Sequence, residues 1–291
     1  MIFEVSHRSS YRYGTSVTQS QHVVHLAPRN LDRQTVVRHS LLIDPAPAAR
    51  TIIRDYFGNE AAILVIEEEH LELVVHARST VDVRPPATVD LAASLPWEWV
   101  VAAAVRTDGT LDIDVLQYAC GSRHTRATPA VLEYAAPSFP PGRPVLEGAW
   151  DLTRRLHADF VFDPMATDIS TPISTVLEAR RGVCQDFAHL ALGCLRALGL
   201  PARYVSGYML TRPPSGKPKL VGADASHAWL SVWAPGTGWL DFDPTNGMMP
   251  GEEHIVVAHG RDYDDVSPIS GVLLGGSGQV MTIAVDVAEA N

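Results

Sequence analysis

The chain has 291 residues, 46% hydrophobic and 19% charged, with a formal net charge of -10. Such a composition supports one large or two medium folded domains, and its acidity argues against a nucleic-acid or membrane-surface partner. Three cysteines make no disulfide framework, no apolar run is long enough to span a membrane, and residues 1–8 lack the apolar stretch of a secretion signal; a reducing cytoplasm is the expected setting.

Residues 1–84 read as a first domain of strands. The clearest is 71–84, where Leu71, Leu73, Val75, Ala77, Val81 and Val83 alternate with mostly polar residues, a period of two. Shorter candidates span 36–43, 51–56 and 61–66, with turn chemistry at Asp55-Tyr56-Phe57-Gly58-Asn59-Glu60. Strands at this spacing predict an antiparallel β-sandwich. His7, His22, His25, His39, His70 and His76 show no metal-ligand spacing and read as structural or surface residues.

Pro85-Pro86 opens a connecting segment, 85–143, of helical pieces and breakers; Cys120 within it reads as a packing residue. The third segment, 144–291, is sharper. Leu146, Ala149, Leu152 and Leu156 form a helical stripe, and Thr175-Val176-Leu177-Glu178 matches a capping box for a short helix ending at Gly182. Phe187, Leu190, Ala191, Cys194, Leu195 and Leu198 then recur at helical spacing until Gly199 and Pro201 stop them. Strands are expected at 202–209, 227–233, 239–243 and, in the tail, 281–287. Helices followed by antiparallel strands make this an α+β chain.

Cys184 falls in the first turn of the second helix, where free N–H groups and the positive dipole end favour a thiolate. A small buried hydrophobe is the alternative reading of a lone cysteine. A hairpin centred on Pro235 would pair Ser231 with Trp239, Trp229 with Asp241 and His227 with Asp243. That places an imidazole beside a carboxylate on one face, where His227 serves as base or cation for Cys184 and Asp243 orients the ring. Attack on an amide would give a thioester, with the Cys184 N–H as an oxyanion donor. Asp186 carries a charge that opposes a thiolate. A strand pair of no consequence and a Cys/His/Asp metal site are the competing readings. Asp262, Asp264 and Asp265 lack calcium-loop spacing and read as solvated. The proline- and glycine-rich stretch 211–223 is expected to border the cleft.

The segments Arg181-Gly182-Val183-Cys184-Gln185-Asp186-Phe187-Ala188, Leu195-Arg196-Ala197-Leu198-Gly199-Leu200-Pro201-Ala202-Arg203-Tyr204-Val205-Ser206-Gly207-Tyr208, Asp224-Ala225-Ser226-His227-Ala228-Trp229 and Gly238-Trp239-Leu240-Asp241-Phe242-Asp243-Pro244-Thr245-Asn246 resemble the transglutaminase-like superfamily. So does Arg261-Asp262-Tyr263-Asp264-Asp265-Val266-Ser267-Pro268, and residues 1–84 are similar to the β-rich region that precedes the core in bacterial members. The resemblance implies a papain-like α+β core with Cys184 as nucleophile, His227 as general base and Asp243 as orienting acid, no cofactor or metal, and a peptide or protein amide as substrate. The upstream tryptophan that animal transglutaminases use for the oxyanion has no counterpart in Asp168-Ile169-Ser170-Thr171-Pro172-Ile173, so the resemblance assigns no second oxyanion donor. Three functions follow: an amide hydrolase of the cysteine protease type, a transglutaminase passing the acyl group to an amine, and an idle peptide-binding module.

Overall fold

The computed structural model describes residues 1–104, 112–211, 224 and 226–290. β1 (Ile2–Val24) is the spine of the first sheet. Phe3, Val5, Tyr11, Tyr13 and Val17 point inward, as in a strand with one buried face. A bulge between Val17 and Gln19 then switches the buried set to Ser20, His22 and Val24, because one extra residue inverts a period of two. Along one side of β1 run β4 (Glu60–Ile66) and β5 (His70–Val83), with β3 (Ala49–Arg54) outside β4 and β2 (Gln34–Asp44) outside β5. The opposite side is taken by β12 (Ile269–Gly275) and β13 (Val280–Glu289). This seven-stranded antiparallel sheet shares one inner cluster across both halves, including Val24, Leu64, Leu73 and Val75.

Sequence reading assigns the tail to the segment 144–291, but its strands complete the first sheet, in register pairs such as Val5↔Val287 and Val23↔Ser270. Without them the second edge of β1 would leave a row of amides and carbonyls unpaired. The alternation in 281–287 specifies a strand and carries no information about its partner.

The core sheet has the order β10 (Gly238–Phe242), β9 (Ser226–Ala234), β8 (Ala202–Met209), β11 (His254–Gly260). β11, a run of buried residues with no alternation, is absent from the sequence reading. Helix α6 (Cys184–Ala197) covers one face: Phe187, Leu190, Ala191, Cys194 and Leu195 share a cluster with Ala202, Tyr204, Leu230, Val232 and Phe242. Each such fully buried leucine contributes about 1.5–3 kcal/mol of hydrophobic stabilisation. On the other face Val205, Trp229 and Val256 pack with Leu31, so the core sheet is buried on both sides.

Around α6 stand α3 (Pro129–Ala135), α4 (Val145–Asp159) and α5 (Ile173–Ala179); α1 (Val100–Ala103), α2 (Ile113–Leu116) and α7 (Tyr263–Val266) are single turns. The α4 stripe Leu146, Ala149, Leu152 and Leu156 is buried as expected. α5 differs. It starts at Ile173 behind Pro172 and ends at Arg180 with φ 55°, so Thr175 lies inside it and Gly182 beyond it. Residues Val161–Phe162 (β6) and Arg181–Gly182 (β7) form a short parallel pair leading into α6. α6 ends with Gly199 at φ 78° and with Leu200 N–H bonded to Leu195 C=O at 3.0 Å, a Schellman stop. Arg196, buried in its last turn, donates to Tyr118 O, Thr125 Oγ1, Ala202 O and Arg261 O. That side chain ties the connecting segment to the core.

Candidate active site

Val183 is extended and Cys184 is the first helical residue of α6, half-buried. Asp186 does not face the thiol as a free charge. Its Oδ2 accepts from the Val183 N–H at 2.8 Å and from Thr167 Oγ1 at 2.6 Å, closing the open end of the helix. Burial raises the Asp186 pKa, against the lowering effect of these two bonds. A Cβ on Gly182 would lie 2.6 Å from Asp186 Oδ2, so the glycine in this motif makes room for the capping carboxylate.

The hairpin register differs from the one expected. β9 and β10 pair as Ala234↔Gly238, Trp233↔Trp239 and Ser231↔Asp241, two residues away from the pairing of Ser231 with Trp239. A shift of two preserves the face on which each side chain lies, so His227 and Asp243 still project to the same side. Asp243 follows the last residue of β10 and bridges to Met248. From there its Oδ2 reaches His227 Nε2 at 2.8 Å, a diagonal contact rather than a directly opposed pair. The Cys184 thiol lies within hydrogen-bonding reach of the same ring, and with Nε2 engaged, Nδ1 is the nitrogen left for it.

Asp243 is fully buried. Burial opposes its charge, but hydrogen bonds from His227 and His254 hold its pKa below the ordinary carboxylate range. As an ionised acceptor, Oδ2 takes His227, His254 Nε2 at 3.2 Å and Asn246 Nδ2 at 2.7 Å. Oδ1 takes the backbone N–H groups of Thr245 and Asn246 at 2.9 and 3.1 Å. For His227, burial alone would lower the pKa; bonds to Asp243 and Cys184 overcome it and raise it to about 10. The ring is therefore an imidazolium at neutral pH, positioned beside the Cys184 sulfur.

Sequence reasoning gave no role to Asn246 or His254. Asn246 lies in the Pro244-Thr245-Asn246 turn, where a side chain three residues after Asp243 can fold back on it. His254 opens β11, and the only signal for it was the apolar run Ile255-Val256-Val257-Ala258. The other two cysteines behave differently. Cys194 is buried, donates to Val131 O at 3.6 Å and is pushed up to about 12 by burial. Cys120, expected to pack, is exposed.

The transglutaminase-like superfamily family model matches residues 140–244, which contain all three of these side chains, and the bacterial transglutaminase-like N-terminal region matches residues 3–82. The chain belongs to the transglutaminase-like superfamily. An uncharacterized protein of Mycobacterium tuberculosis is 44% identical over 98% of this chain and 92% of its own length. A protein-glutamine gamma-glutamyltransferase of Pseudomonas aeruginosa is 36% identical over 102 residues, 34% of this chain and 15% of that protein. In three dimensions, a proposed cysteine protease from Cytophaga hutchinsonii superposes over 100% of this chain and 91% of its own with a TM-score of 0.76 at 20% identity. The likeness of fold thus extends from the N-terminal sheet through the superfamily core.

Among the described residues, two groups of side chains have metal-ligand spacing, His227/Asp243/His254 and His124/Asp262/Asp264, each with donor atoms within 4.8 Å of one another. In the first, the facing atoms already bond one another. In the second, His124 Nε2 bonds Asp264 at 2.9 Å and Asp262 caps α7. Asp262 is buried and Asp265 holds Arg261 through both carboxylate oxygens; of the three aspartates read as solvated, only Asp264 is exposed. Apart from Thr211, the stretch expected to border the cleft lies outside the described residues. No described helix is long and apolar enough to cross a membrane.

Proposed function

We propose that the protein cleaves an amide or peptide bond through an acyl-thioester on Cys184, with His227 as acid and base and Asp243 as the group that orients it. The reading rests on one observation: the His227 ring bonds Asp243 through Nε2 and reaches Cys184 at the start of a helix. With the Sγ proton passed to His227, the thiolate attacks the carbonyl carbon, and the oxyanion is met by the Cys184 N–H, which has no intrahelical partner at the first helical position. The imidazolium gives its Nδ1 proton to the leaving amine as the C–N bond breaks. Water then attacks the thioester, His227 takes the water proton, and free acid leaves as the C–S bond breaks, restoring the thiolate and imidazolium. The substrate is a peptide or protein, and a cytoplasmic location would keep the thiol reduced.

Iodoacetamide labelling across pH tests the nucleophile. Selective alkylation of Cys184, faster than that of a free peptide thiol and slowed to that rate in His227→Ala, is the expected result. Labelling no faster than a peptide thiol would remove the enzyme reading and leave a peptide-binding module.

The similarity to a gamma-glutamyltransferase favours a second reading, in which an amine resolves the thioester. Incubation with a glutamine peptide and a primary amine separates the two: free acid and ammonia support hydrolysis, and an amine adduct supports transfer.

A further inference from the structure

A cavity of about 720 Å³ lies along β10 of the core sheet, with Arg203 and His259 of the neighbouring strands in its wall. That volume is within the range of small-molecule sites. Leu31, Val89, Leu240 and Met249 give it apolar walls, and Arg203, Trp239, Asp241 and His259 line it with polar and aromatic groups. It takes no part in the chemistry proposed above.

Arg203 is the unusual member. Its guanidinium stacks on Trp239 with Cζ 4.4 Å from the ring centroid. Stacking occupies the flat face of the group, whereas all five N–H donors point out along its edges. None of them finds a protein acceptor among the described residues, and Nε is buried without a partner. Burial lowers the Arg203 pKa to about 10, with Asp241 acting in the opposite direction, so the group stays cationic at neutral pH. The nearby carboxylate is shared: Asp241 Oδ2 lies 3.4 Å from Arg33 Nη2. Arg29 adds to the field, its Nη1 bonding only Phe57 O and Asn59 Oδ1. His259, in the cavity wall, is held neutral by burial and then by Arg203, Arg29 and Arg33. In a chain of net charge -10, the cavity wall sets Arg203 and Arg33 beside Asp241 and Asp32.

We infer that this cavity binds a small anionic ligand, its carboxylate or phosphate on the edge of Arg203 and its apolar body against Leu31, Val89, Leu240 and Met249. A partnerless buried donor is costly, and an anionic acceptor removes that cost while gaining a charge-assisted bond.

The test is ligand-observed NMR titration of the full chain with 3-phenylpropionate, phenyl phosphate and the uncharged 3-phenylpropanol. Saturable binding of at least one anion, with the alcohol about 10- to 100-fold weaker, is expected, the size of one bond to a charged group. Tighter binding of the carboxylate identifies a carboxylic acid as the natural chemistry, and tighter binding of the phosphate identifies a phosphate ester. Arg203→Met should lose the preference for the anion, and Asp241→Asn should tighten anion binding several-fold by removing the competing carboxylate. Equal binding of acid and alcohol, no saturation by either anion, or weaker anion binding in Asp241→Asn would overturn the inference. None of these readouts depends on Cys184, so its failure and that of the thiol chemistry are separable.

Discussion

His7 in the N-terminal sheet and His227 in the core sheet are both largely enclosed, yet they carry opposite charge states. His7 Nδ1 meets the Tyr208 hydroxyl at 2.9 Å and Nε2 meets Ser9 Oγ at 3.2 Å. With only hydroxyls as partners, burial followed by the nearby His76 lowers its pKa to about 4. His227 also suffers burial, but Asp243 and Cys184 overcome it and raise the value to about 10. Burial alone therefore does not mark a reactive histidine; the charge of its partner does. The first sheet uses His7 as a neutral fitting, and the core uses His227 as a cation.

The strongest way to break this contrast is Asp243→Asn. Turnover should fall by on the order of 10²–10⁴, as when the carboxylate of a nucleophile–histidine–acid set becomes an amide, and the His227 NMR titration should move down towards the ordinary range. A titration left near its original position would show that Asp243 does not set the charge. His254→Phe removes one donor from the same carboxylate and should cost about 10- to 100-fold in kcat/KM. Partial recovery in His254→Gln would identify the lost hydrogen bond as the cause, and recovery in neither rate nor Asp243 ionisation would assign His254 to packing.

The pH dependence of stability should differ by region. For His227, whose folded pKa is raised from 6.5 to about 10, the stabilisation is fully present below 6.5 and is lost as pH rises towards 10. For His7, lowered to about 4, stability is retained above 6.5 and lost as pH falls from 6.5 towards 4. Denaturant titrations of His227→Gln and His7→Gln, compared with the unchanged protein, should flatten the alkaline and the acid limb respectively. The smallest effect is expected for His7→Phe: about 1–2 kcal/mol of stability from the orphaned Tyr208 hydroxyl, with kcat unchanged. A fall in kcat would show that the two histidine environments are coupled through β8.

Helical stripes, stop signals and strand alternation were legible because they are local. The α6 stripe with Gly199 behind it, the α4 stripe and the strand at 202–209 all appear where periodicity puts them. The proximity of His227 and Asp243 was legible for a weaker reason. The turn between β9 and β10 shifts the pairing by two, and a shift of two leaves faces unchanged, so parity survived where register did not. Three things were out of reach. Partner choice for β12 and β13 spans almost the whole chain, and alternation carries no address. β11 is buried on both faces and so has no alternation to read. Asp262 and Asp265 look like a solvated acidic run, because the arginine and helix start that engage them are visible only once Arg261 and α7 are folded.

The pairing of β1 with β12 and β13 also fixes an order of events during synthesis. The first strand is made before the core and the strands that cover its second edge after it, so a growing chain carries an open β edge from residue 2 to residue 24 while the superfamily core is being made. Such an edge is a template for pairing with other chains. Translation pausing after the core and before residue 269 should therefore be the interval in which this protein most needs a chaperone.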